Sequence, residues 1–224
     1  MKDLQEYDWA AIELELDSQG AVVLPGLMTA REVDDLLQWL EDDGSRLQPF
    51  EGPGAQNGLE HSFGLAEPLP PILASLGRDL RDRLGPIEQR WKHLMGLLPG
   101  VATSDSGGAC RATLRADLVT VEEGGFIPLR QGAQAGGGFS FEATIMLSAP
   151  GNDFDGGEIA MTEQRPRMQS RPMVFRLAKG DVAVFSGGQR PFKGRKGFYK
   201  VTLKSAVGRV RRGRRTAVNL SFAA

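Results

Sequence analysis

Among 224 residues there is one cysteine, Cys110, and there are two histidines, His61 and His93. A single cysteine excludes an internal disulfide and a thiolate metal cluster built from one chain. Two histidines leave little imidazole for a metal site. No window approaches the roughly eighteen consecutive apolar residues of a membrane-spanning helix. The opening "MKDLQEYDWAAIELELD" carries acids where a signal peptide would need a basic start and an apolar run, so the chain reads as cytoplasmic, with no membrane partner. Acids are also missing from the end of the chain. After Asp181 there are 11 bases and no acid, whereas residues 1–100 hold 18 acids against 8 bases, an asymmetry hidden by a net charge of −1. A basic C-terminal third suits an anionic ligand, whether carboxylate, phosphate or nucleic acid. The same bases could instead lie on solvated strands and pair with acidic helices.

What is present is the profile of a globular protein, 41% apolar and 25% charged, long enough for one full-sized core. One domain spanning 1–224 is expected. In the first hundred residues "TAREVDDLLQWLEDD" places Val33, Leu36, Leu37 and Leu40 at helical spacing behind Thr29 as N-cap. "LPPILASLGRDLRDRLGPIEQRWKHLMGLL" repeats the pattern, with Gly85-Pro86 predicted to end one helix and start the next. "FEGPGAQNGLEHSFG" between them reads as a loop that contains His61. From about residue 111 the texture changes to short runs rich in Val, Thr, Phe and Ile, at 113–121, 139–148, 157–163, 173–178, 181–186, 198–210 and 215–223. Short strands without intervening helices predict an α+β, mainly β protein. Its 1–100 part is mainly helical and packs on one face of an antiparallel sandwich or barrel over 111–224.

The segment 153–222 carries a specific set of motifs: "GGE" after an acidic turn, "TEQRPRMQSR", "GD" opening an apolar strand, "RP" and then "RVRRGRR". In this order they resemble a bacterial, prolyl-hydroxylase-like branch of the 2-oxoglutarate- and Fe(II)-dependent oxygenases, and the resemblance extends upstream through "LVTVEEGGFIPLRQG". It implies a double-stranded β-helix, or jelly-roll, fold. In that family a His-x-Asp motif on an early strand and a histidine on a late one hold iron, leaving positions open for 2-oxoglutarate and oxygen. An arginine beyond the last histidine anchors the far carboxylate of 2-oxoglutarate. Laid on this chain, the first histidine falls on Arg130, the aspartate on Gly132, the second histidine on Ser205 and the arginine on Arg215. A guanidinium has no lone pair to give a metal, glycine has no side chain, and a neutral serine hydroxyl is a poor ligand for Fe(II). The resemblance therefore implies a diverged member with no resident Fe(II) and no required cofactor, in which 2-oxoglutarate or another dicarboxylate is a possible ligand.

Arg130 reads either as a surface residue beside the glycine-rich "GAQAGGG" or as a replacement for the iron's charge, making with Arg215 a pocket for a small anion. "GAQAGGG" itself precedes a β-run rather than a helix, which favours a lid or hairpin over a phosphate cradle. In "FSFEATIMLS" alternation puts Glu142 and Thr144 on the face opposite Phe141, Ala143 and Ile145. An inward Glu142 is a candidate general base, an outward one a solvated or ion-paired glutamate. Glu122 and Glu123 have the same two readings. Arg165, Arg167 and Arg171 either fix a long connection or recognise an anion. Cys110 reads as a small buried residue. "RVRRGRR", read as strand, turn at Gly213 and strand, lacks interleaved aromatics and makes a poor nucleic-acid surface. The expectation is a metal-independent enzyme acting on a small anionic substrate in a biosynthetic pathway. The alternatives are a non-catalytic binding protein, as a homodimer or paired with a homologue, and a working oxygenase with unusual ligands.

Overall fold

A computed structural model describes residues 1–42, 44–52, 59–97, 113–132 and 141–223. The period-two alternation of the C-terminal half becomes two facing sheets in which every strand pairing is antiparallel. In the first, strands run in the order β1 (Ala21–Leu24), β10 (Val182–Ser186), β6 (Phe141–Met146), β13 (Val210–Ala223), β4 (Thr113–Glu122), β3 (Glu60–Leu65) and β2 (Leu47–Phe50), and β7 (Phe154–Gly156) also pairs with β13. The second runs β11 (Gln189–Gly194), β12 (Gly197–Val207), β8 (Ile159–Gln164) and β9 (Arg171–Phe175), with β5 (Ile127–Arg130) joined to β12. This is a double-stranded β-helix. Within one strand the two faces divide cleanly. Phe141, Ala143 and Ile145 of β6 join the helices in one apolar cluster, while Met146 belongs to a second cluster between the sheets with Ile127, Ile159, Phe185 and Leu203.

Three helices cover the outer face of the first sheet: α1 (Trp9–Gln19), α2 (Ala30–Asp42) and α3 (Pro71–Leu94). Thr29 and Glu32 form a capping box at α2, the Glu32 carboxylate accepting from the Thr29 amide at 2.9 Å and hydroxyl at 2.7 Å. The expected break at Gly85-Pro86 does not occur, and α3 is continuous with Pro86 inside it. Leu76, Leu80, Leu84, Ile87 and Trp91 are all buried along one stripe that spans the step. Burying each such side chain contributes about 1.5–3 kcal/mol, enough to offset a lost helical hydrogen bond. Trp91 stacks at 4.9 Å on Phe141 and donates from its indole to Asp17 at 2.6 Å, tying α3 to both the sheet and α1.

The first hundred residues also contribute strands β1, β2 and β3, which helical periodicity missed. The run expected as a loop supplies β3, so His61 lies on an exposed strand position, paired in register with Thr120. Gly213 is not a turn either. It lies inside β13, opposite Phe154, with φ +74°. A Cβ there would come within 2.0 Å of the Asp153 carbonyl oxygen, so only glycine allows this bulge.

Candidate functional site

Residues of β5, β6, β12 and β13, with Ile159 of β8 and Phe185 of β10, line one pocket in the barrel. Ser205 on β12 stands directly opposite Arg130 on β5 in the strand register. Alternation along β13 buries Val218 and Leu220 toward the helices and turns Arg215 and Asn219 inward. A cavity of about 40 Å³ gathers Arg130, Glu142, Thr144, Ser205, Arg215 and Asn219. Four residues singled out from sequence thus share one pocket, and the fifth, Gly132, touches it through Glu142. The inward reading of Glu142 holds.

Arg215 is 1% exposed. Its Nε and Nη2 are two of only four buried side-chain polar atoms that lack a hydrogen-bond partner among the described residues. Burial alone pulls its guanidinium down to about 10, so it stays a cation at neutral pH. An unpartnered buried cation is costly, and such a group marks a place for an anion. Its Cδ packs on Gly157, where a Cβ would stand only 2.9 Å away. Glu142 is half-buried, and desolvation raises its carboxyl above the ordinary range; the nearby Arg130 cation opposes that rise and Asp117 adds to it. Thr144 donates to Asn219 Oδ1 at 2.7 Å, and Asn219 is also the register partner of Asp117, so a polar row crosses three strands into the pocket. Sequence reasoning missed Asn219 and Asp117. Counting by two from Arg215 along β13 would have found Asn219.

The donors around this pocket do not fit an iron ion. One carboxyl, two neutral hydroxyls and one amide stand among two guanidinium groups, and no group of three His, Cys, Asp or Glu able to hold a metal occurs among the described residues. His61 sits on β3 and His93 in the last turn of α3, and neither lines the pocket. A larger cavity of about 290 Å³ lies beyond Ile159, lined by Phe154, Phe175, Leu177 and Arg211. It contains no unpartnered buried group, so the smaller pocket has the stronger claim to chemistry.

The remaining sequence candidates do not line this pocket or lie outside the described residues. Glu163 is fully buried and pairs with Arg165, at 2.6 Å, and with Arg190. Arg190 also donates to the carbonyls of Asp17 at 2.6 Å and Ser18 at 2.8 Å, clamping the end of α1 onto the barrel. Arg167 takes φ +60° in the connection from β8 to β9, and Arg171 opens β9. Glu122 pairs with Arg214 at 2.7 Å. The carboxylate of Glu123 accepts from the Gly213 amide at 3.4 Å. Cys110 and most of the "GAQAGGG" run, 133–138, lie outside the described residues.

The jelly roll with its inward arginine defines a protein of the 2-oxoglutarate/Fe(II) oxygenase fold. The chain belongs to the Oxygenase-NA family, described as "Oxygenase, catalysing oxidative methylation of damaged DNA", which its residues 61–224 match. It is 29% identical over 163 residues to an uncharacterized protein of Mycobacterium tuberculosis, covering 69% of each chain. Among solved structures it is similar to a Pseudomonas putida prolyl-4-hydroxylase, with a TM-score of 0.62 at 14% identity, covering 96% of this chain and 98% of that one. A 2OG-Fe(II) family oxidoreductase of Burkholderia pseudomallei gives 0.62 at 19% identity, covering 97% and 92%. HygX of Streptomyces hygroscopicus, solved with nickel and 2-oxoglutarate bound, gives 0.54 at 13%, covering 94% and 85%. At these identities the structural likenesses speak to the fold alone.

Proposed function

We propose that this chain binds a small carboxylate, 2-oxoglutarate or another dicarboxylate, in the barrel pocket without a resident iron, and acts on it by acid–base rather than oxidative chemistry. The observation that carries this reading is Arg215, a buried guanidinium with two N–H-bearing nitrogens unpartnered and aimed at the pocket. A carboxylate accepting both would form a charge-assisted bidentate pair and remove the desolvation penalty. Arg130 supplies a second positive charge, and Glu142 is the one carboxylic side chain lining the pocket among the described residues, its carboxyl raised above the ordinary range by desolvation, which favours the protonated form. The cavity admits a carboxylate group rather than a whole dicarboxylate, whose remainder would lie toward the mouth. The reading departs from the family's described oxidation because Arg130, Gly132 and Ser205 supply no adequate metal donors.

Two measurements test it. In metal-free buffer, 2-oxoglutarate or succinate at about a hundredfold above Kd raises the unfolding free energy by about 2.7 kcal/mol. The Arg215→Ala variant loses this response. Stoichiometric iron after anaerobic loading, or turnover of 2-oxoglutarate to succinate, would overturn the reading. The absence of any carboxylate response would point instead to a non-catalytic partner protein.

A further inference from the structure

The Glu142 side chain has a socket made of two glycines. A Cβ placed on Gly132 would lie 2.3 Å from Glu142 Oε1 and 2.5 Å from the Gly187 carbonyl oxygen. A Cβ on Gly187 would lie 2.7 Å from the same carboxyl oxygen, and its three nearest atoms all belong to Glu142. Neither glycine has a positive φ, so the backbone at 132 and 187 makes no demand for glycine. What both positions require is empty space: at 187 the Glu142 side chain fills it, and at 132 the Glu142 carboxyl and the Gly187 backbone fill it together. Gly132 is also the position onto which the family's aspartate falls. The Glu142 carboxyl, delivered from β6, thus stands against the position just past β5 where the resemblance puts an aspartate.

We infer that the Glu142 carboxyl, socketed by Gly132 and Gly187, occupies the place where a metal-ligating carboxylate on residue 132 would stand, so that the two are mutually exclusive. The inference rests on the metal-free reading above and extends it. The pocket offers its ligand one carboxyl group between two guanidinium groups where a metal would have been. The ligand class this arrangement selects is a small carboxylate bearing a second hydrogen-bonding group, a hydroxyl, keto or amide function, within reach of Glu142.

A double-mutant cycle on unfolding midpoints tests the socket without metal or ligand. Gly187→Ala, whose new Cβ would meet only Glu142 atoms, lowers the midpoint by roughly 5 °C, and the drop shrinks by half or more in the Glu142→Ala background. An equal drop in both backgrounds would show that Glu142 does not fill the space. A second arm compares Co(II) affinity of the combined Arg130→His, Gly132→Asp and Ser205→His variant with the same variant also carrying Glu142→Ala. The fourth substitution tightens metal binding at least tenfold, and equal affinity would sink the inference. If the multiply substituted chains fail to fold, the cycle still decides. Iron uptake by the unaltered chain would count against the proposed function, while the cycle result stands or falls separately.

Discussion

A buried guanidinium with open N–H positions lowers stability unless something fills them, and that gives Arg215 a test of purpose. A structural arginine, such as Arg190 with its carboxylate and carbonyl partners, destabilises when removed. An arginine kept for a ligand should do the opposite. Arg215→Met, which retains volume and removes the unpaired charge, is expected to raise stability to urea by about 1–3 kcal/mol in ligand-free buffer while abolishing the carboxylate-induced shift. Loss of stability would make Arg215 a structural residue. Glu142 allows a second test. Its folded pKa lies above the ordinary 4.5, so the folded state holds this proton more tightly than the unfolded chain does. Its contribution to stability is therefore fully present below that ordinary value and is lost as pH rises through the raised one. As pH rises above the ordinary carboxylate value, the unaltered chain should lose stability relative to Glu142→Gln, whose side chain does not titrate. Parallel profiles from chemical denaturation would show that the carboxyl is solvated in the folded state.

At the scale of elements, the clamp between β8, β11 and the end of α1 depends on one ion pair that neither water nor salt can screen. Removing the Glu163 carboxylate leaves the Arg190 cation buried without a countercharge, so Glu163→Ala is expected to cost about 3–5 kcal/mol of unfolding free energy. Replacing both partners with apolar residues should cost less than that single change, a reversal that denaturation midpoints would show. Alternation and residue type made most strands of the barrel legible, because a side chain on β6 or β13 must face either the helices or the interior. Alternation put Glu142 and Thr144 on one face together and left open whether that face was inward, which the pocket decides. The same period carried one strand further would have found Asn219. Local signals failed where tertiary packing overrode them. Gly85-Pro86 is a strong breaker in isolation, yet the apolar stripe from Leu73 to Trp91 holds α3 straight through it. The strand β3 has a glycine next to its last residue and weak alternation, and it owes its form to pairing with β4. Arg130, Gly132, Ser205 and Arg215 could be placed together only by resemblance, since they lie on three strands and a strand end far apart in sequence. Nothing local marked Gly187, whose meaning lies wholly in the side chain opposite it.

Across the whole molecule, the acidic helical part and the basic barrel differ in charge but share one sheet. β1 extends the main sheet by pairing with β10, and β3 extends its other side by pairing with β4. The helices bury Phe141, Ile145, Val184 and Leu220, which would face water on an isolated barrel. A chain of residues 111–224 alone would therefore expose the outer face of its own central strands and two unpaired edges, the combination that leads to aggregation rather than folding. The full chain should accordingly unfold as one unit. Far-ultraviolet circular dichroism reports helices and strands together, whereas tryptophan fluorescence, with Trp9 and Trp39 replaced by Phe, reports the contact of Trp91 with Phe141 between α3 and β6. The two probes are expected to give coincident urea transitions, and the truncated chain to give no cooperative transition. Separate transitions, or a cooperatively folding barrel fragment, would mean that the helical part is an addition to a self-sufficient barrel. The pocket geometry would then have to be held by the barrel strands alone, without the Arg190 clamp to α1.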